Sequence, residues 1–148
     1  MVIFPELSVI KSENIATTLR LGDSVMLLGS DKENGLFWWN LKDKTVLHLT
    51  TGKGPGALGD NTINSISLSA DRKQVIVCGD KNISVINIGN RQTKIVNLQN
   101  HRYFFDIKNI QGKYYLASYE NGLLTTDTSF KVLQKITTEQ GLTDNGVY

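Results

Sequence analysis

The stretch from Lys135 to Tyr148 reads KITTEQGLTDNGVY. Its first residues, Lys135-Ile136-Thr137-Thr138, end a β-rich segment and run into a turn at Gln140-Gly141. Thr143-Asp144-Asn145 follows, and Val147-Tyr148 reads as the opening of a new strand. The same order is written once before. Leu49-Thr50-Thr51 passes through a Gly-rich turn to Leu58-Gly59-Asp60-Asn61, and an apolar strand opens at Ile63. Thr-Thr, turn, Leu, one residue, Asp-Asn and strand together mark a junction between units, and recurrence of that kind is the signature of a repeat architecture.

Between the junctions the chain is punctuated every ten residues or so. In the first unit Ile15 to Leu21 reads as a strand, Gly22-Asp23 as a turn and Val25 to Gly29 as a buried strand. A polar loop from Asp31 ends in Asn34-Gly35, a pair that favours positive φ, before strands at Leu36 to Leu41 and Thr45 to Thr51. The second unit follows the plan with Ile63 to Ser69, Val75 to Gly79, Ile83 to Ile88 and Lys94 to Gln99. The third has Tyr103 to Ile110, Tyr114 to Ser118, Leu124 to Thr128 and Val132 to Thr138. Its corner Glu120-Asn121-Gly122-Leu123 matches Glu33-Asn34-Gly35-Leu36 residue for residue.

Units start after Asn14, Asn61, Asn100 and Asn145, a spacing of roughly 40 to 45 residues that is the size of a four-stranded propeller blade. The longest interval holds the inserted loop Gly52 to Gly59. A β-sandwich would also alternate strands and turns, but it would not repeat one corner at one position of successive units. The expected fold is therefore all-β, with about three four-stranded antiparallel blades in an incomplete ring. The expected divisions are residues 1–13 as a leftover or edge strand of a preceding blade, 14–60, 61–99 and 100–144 as blades, and 145–148 as the start of another. Pro5 makes the leading segment a poor central strand. Because complete propellers use roughly four to eight blades, the pattern implies a piece of a larger protein. Several hundred Å² of bare apolar face, at about 25 cal/mol per Å², would forgo on the order of ten kcal/mol, so self-association of the isolated chain is expected.

Composition narrows the class. At 148 residues, 40% hydrophobic and 20% charged, the chain fits a globular domain and not a disordered one. A net charge of +2 without a basic run gives no footprint for nucleic acid. There is no apolar run long enough to span a bilayer and no signal-like start. The single cysteine, Cys78, sits in an apolar strand and reads as a small buried hydrophobe.

The junction Gly141 to Tyr148, preceded by Thr137-Thr138-Glu139, and the Glu-Asn-Gly-Leu corner resemble the repeat of the two-component regulator propellers. The likeness covers about three units from Asn14 onward; it is good in the third, fair in the first and weak in the second, where Asn82-Ile83 replaces Asn-Gly-Leu. The resemblance implies a periplasmic, extracytoplasmic sensor region of a bacterial hybrid two-component protein, responding to sugars or other small molecules. It implies that the remaining blades of the parent are partners, and that the parent carries a membrane helix and a kinase absent from this chain.

The residues themselves offer no catalytic constellation, so no enzymatic activity is expected of this segment. Gly52-Lys53-Gly54-Pro55-Gly56 lacks the Ser or Thr and the helix of a phosphate loop. His48 and His101 have no Cys or acidic residue at ligand spacing, so neither a metal nor a cofactor is expected. The aromatics are the better candidates. Trp38 and Trp39 are adjacent on a strand and point to opposite faces. One is expected between blades, and the other is available to stack on a sugar ring. Tyr119, Glu120 and Asn121 sit in a blade corner, and His101-Arg102-Tyr103 at a junction, where polar groups beside an aromatic can hold a carbohydrate. An interaction scaffold is the alternative reading. A lyase or hydrolase is a third, resting on Asp31, Glu33, Asp80 and Glu120 at equivalent corners.

Overall fold

Alternating side chains and closely spaced turns leave the backbone one economical way to satisfy its hydrogen bonds, the antiparallel meander. The computed structural model describes residues 4–10 and 14–147. The first sheet holds β1 (Ile15–Leu21), β2 (Val25–Ser30), β3 (Leu36–Asn40) and β4 (Thr45–Leu49). The second holds β5 (Ser65–Leu68), β6 (Gln74–Cys78), β7 (Ile83–Asn87) and β8 (Thr93–Val96). The third holds β9 (Phe104–Ile110), β10 (Lys113–Ser118), β11 (Gly122–Thr126) and β12 (Val132–Ile136). Each sheet is ordered as the chain runs, and every pairing within it is antiparallel. Sheet follows sheet like the blades of a propeller, with β1, β5 and β9 on the inner side of the stack.

The core lies between the sheets. Leu27, Leu36 and Trp38 of the first sheet pack on Val75, Val77 and Ile86 of the second. Ile76, Cys78 and Val85 of the second pack on Tyr114, Leu116 and Leu124 of the third. The run Val75-Ile76-Val77-Cys78 is apolar at every position because β6 is covered on both faces, odd residues toward one neighbour and even residues toward the other. Fully burying each of these side chains contributes about 1.5 to 3 kcal/mol. β12 is the opposite case: Val132 to Lys135 are all exposed, as befits an outermost strand.

The two junctions recognised in sequence are one structure built twice. Gly35 N–H donates to the Asn61 carbonyl, Thr51 N–H to Asn61 Oδ1, and Ile63 N–H to the Ser30 carbonyl, each at 2.7 Å. In the third sheet Gly122 N–H donates to the Asn145 carbonyl at 2.9 Å, Thr138 N–H to Asn145 Oδ1 at 2.8 Å, and Val147 N–H to the Ser118 carbonyl at 3.1 Å. Each asparagine thus ties the end of the fourth strand and the corner glycine to the strand that comes next.

One expectation is corrected. Pro5–Val9 forms a 3-10 helix, not an edge strand. Proline fixes φ and has no N–H to offer a ladder, so it starts a tight turn more readily than a strand. The Phe4 ring stands edge-on to Trp39 at 5.2 Å and covers part of the outward face of the first sheet. Val2 and Glu13 of the leading segment and Tyr148 of the last junction lie outside the described residues.

Candidate functional site

Antiparallel order puts the three junctions and the loops 31–35, 79–82 and 119–121 at one end of the sheets. Where the second sheet leads into the third, this end carries two adjoining hollows. One, of about 360 Å³, is lined by Tyr103, Phe105, Tyr119 and Glu120. The other, of about 240 Å³, is lined by Lys81, Asn97, Leu98, Asn100, His101 and Arg102. An aromatic wall thus meets a polar, cationic one across the Arg102–Tyr103 peptide.

The backbone builds the aromatic wall. Tyr103 is held in the left-handed region at φ 55°, and its carbonyl accepts the Tyr119 N–H at 3.1 Å. A bulky residue with that backbone conformation costs about 1 to 2 kcal/mol, and here it sets an aromatic ring at the surface, 38% exposed. Phe105 is delivered by a β-bulge. Ala117 pairs with Asp106 and Ser118 with Phe104, which leaves Phe105 as the extra residue of β9. Its ring meets Tyr119 edge-on at 6.3 Å. Tyr119 itself is 51% exposed.

The sequence-derived candidates divide in space. Tyr119, Glu120, His101 and Arg102 come together at this end. Asn121 belongs to the frame: it is buried, donates to Ser118 Oγ and accepts from Lys135 Nζ, both at 3.3 Å. Trp38 and Trp39 are both buried, one in the core between sheets and the other against Phe4, so neither is presented as a stacking platform. Phe105 and Lys81 escaped the sequence reading. For Phe105 the signal is the bulge opposite Ala117 and Ser118, which strand pairing reveals and the sequence alone does not.

Among the described residues no group of three or more His, Cys, Asp or Glu side chains could hold a metal ion. Asp80 accepts from Asn64 Nδ2 at 2.9 Å, and the same Nδ2 donates to the Phe104 carbonyl of the third sheet at 3.0 Å. Cys78 is fully buried, and burial pushes its thiol far above the ordinary range, as a structural cysteine requires. A third hollow beside Thr137 to Gln140 and Asn145 has polar groups that bond one another. Thr137 and Gln140 form a capping box there, and Asn145 holds Thr138.

The chain matches no family model and no curated protein. It does match solved structures. An extracellular domain from B. thetaiotaomicron assigned to a one-component system aligns over 97% of this chain and 22% of its own length, with 14% identity and a TM-score of 0.74. A second from B. thetaiotaomicron, assigned to a hybrid two-component system, aligns over 90% of this chain and 17% of its own, with 20% identity and a TM-score of 0.67. The WD40 β-propeller domain of Doa1 aligns over 84% and 40%, with 13% identity and a TM-score of 0.61. The chain spans about a fifth of the length of the two extracellular domains. Among the described residues no helix is long and apolar enough to cross a membrane. The fold is that of propeller blades, of the kind found in the extracellular domains of bacterial signalling proteins.

Proposed function

We propose that this chain is part of the extracytoplasmic ligand-sensing propeller of a bacterial two-component protein, and that it binds a glycan or similar small molecule at the mouth between its second and third sheets. The observation that carries the reading is the aromatic wall of exposed Tyr103 and Tyr119 and half-buried Phe105 beside Glu120, His101 and Arg102. Sugar rings offer an apolar face to aromatics and hydroxyls to neighbouring polar groups, and this surface supplies both. The shared fold with extracellular signalling domains supports a periplasmic setting and further blades as intramolecular partners. Binding without turnover is what a sensor requires.

Calorimetric titration of the chain with a panel of neutral and acidic oligosaccharides tests the proposal. Saturable heat without product formation, reduced about tenfold or more by Tyr119→Ala, is the expected result. Silence across the panel would sink the glycan reading, and hydrolysis or elimination products would replace a sensor with an enzyme. A scaffold role draws on Val132 and Leu133, which expose apolar side chains on the outermost strand β12. Capture of a protein partner that Leu133→Glu abolishes would favour it.

A further inference from the structure

The opposite end of the sheets carries a further hollow with a different chemistry. It has a volume of about 280 Å³ and lies between the β1–β2 turn of the first sheet and the turns 69–73 and 88–92 of the second. Val25, Leu68 and Ile88 give it apolar walls, and Trp38, Arg72 and Arg91 complete the lining. The Arg91 guanidinium stands 4.5 Å from the centre of the Trp38 ring, held over its π face.

What these polar groups lack is an acceptor. Trp38 Nε1 and Arg91 Nε are both buried, and neither has a hydrogen-bond partner among the described residues. Trp38 as a whole is only 3% exposed. Neither Arg72 nor Arg91 makes an ion pair among the described residues, and no Asp or Glu lines the hollow. Two arginines and the Trp38 ring therefore line one largely apolar recess that no carboxylate lines. Arginine forks fit a carboxylate with two parallel hydrogen bonds. The apolar walls exclude a bare, strongly hydrated anion and suit one whose charge is carried on a hydrophobic body.

We propose that this hollow is a binding site for a small organic acid, a monocarboxylate with an aromatic or branched aliphatic body. Its carboxylate pairs with Arg72 and Arg91, and its body rests on Val25, Leu68 and Ile88. The site is separate from the aromatic mouth and does not depend on what binds there.

Nuclear magnetic resonance titration of the ¹⁵N-labelled chain tests this, with phenylacetate as the probe and phenylacetamide as its uncharged counterpart. The Trp38 indole and Arg91 Nε–H signals should shift saturably with phenylacetate, while the Trp39 indole stays in place. The amide should bind at least about tenfold more weakly. Arg72→Gln alters an exposed turn residue and should weaken phenylacetate binding by about tenfold with the spectrum otherwise unchanged. It carries the test should Arg91→Gln disturb the packing on Trp38. A Trp38 signal that does not move at millimolar phenylacetate, an equal response to the amide, or full affinity in Arg72→Gln would each overturn the proposal.

Discussion

Ser65 donates its hydroxyl to Asp106 across the second and third sheets, Oγ to Oδ1 at 2.6 Å. Lys108 Nζ reaches the same carboxylate oxygen at 2.8 Å. Burial pushes the Asp106 carboxyl upward, but hydrogen bonds from Lys108 and Ser65 outweigh it and hold the group below its ordinary range. A carboxyl with a lower pKa folded than unfolded contributes stability that is present above the unfolded value, about pH 4. That stability is lost as pH falls through the folded value. Asp106→Asn should lower stability by roughly 1 kcal/mol at neutral pH. In urea unfolding the variant and parent should converge under strong acid. A gap that persists there would mean the link owes nothing to charge.

The corner glycines make a second test. Gly35 and Gly122 have φ of 76° and 69°, and a Cβ on either would lie 2.2 or 2.1 Å from the carbonyl oxygen of Leu49 or Ile136. Gly35→Ala and Gly122→Ala should each destabilise by about 2 to 4 kcal/mol, since strain and a backbone clash add. Gly112 has φ 75° with open space around it, so Gly112→Ala isolates the strain alone, about 1 kcal/mol. Equal losses at all three positions would show that the clash is relieved by backbone movement.

Tyr119 should separate binding from folding. Its ring is half-exposed and touches Phe105 at the edge, so Tyr119→Ala should cost under about 1 kcal/mol in thermal or urea unfolding. The same change should remove most of the affinity for whatever glycan the titrations reveal. A large stability loss would recast the tyrosine as a structural corner residue.

Cys78 reports on the integrity of the stack. Its thiol is fully buried between the second and third sheets, so a thiol-specific reagent should react only as fast as the chain opens. Cys78→Ser should destabilise by about 1 to 3 kcal/mol, because it puts a hydroxyl among apolar side chains. Rapid labelling of the native chain would contradict the burial.

The sheets were legible because their determinants are local. Alternation in Ile83 to Ile88, the Asn34-Gly35 turn and the repeated Glu-Asn-Gly-Leu corner specify strand, bend and strand without reference to distant residues, and the observed strand β7 begins at Ile83 as the pattern requires. The site was only half legible. Tyr119 and His101 stand where loops meet and could be placed by counting units. Phe105 could not, because its place in the aromatic wall follows from a bulge opposite Ala117 and Ser118, which only pairing reveals. One tryptophan, Trp38, packs between the sheets as expected, while Trp39 misled for a related reason. Strand parity says that they face opposite ways, but not that Phe4 covers one of them.

The bulge that presents Phe105 has a counterpart in the first sheet. Ile15 pairs with Ser30 and Thr17 with Gly29, so Ala16 is the extra residue there, and its side chain is exposed. Ser30 and Ser118 mark the equivalent position, since each accepts the N–H that opens the next inner strand. The backbone of this site is therefore set by the ladder and not by the side chain it carries: a methyl in one sheet, a phenyl in another. Such a position can exchange its side chain with little effect on folding, so the surface at this end of each sheet can be changed by single substitutions while the framework stays the same.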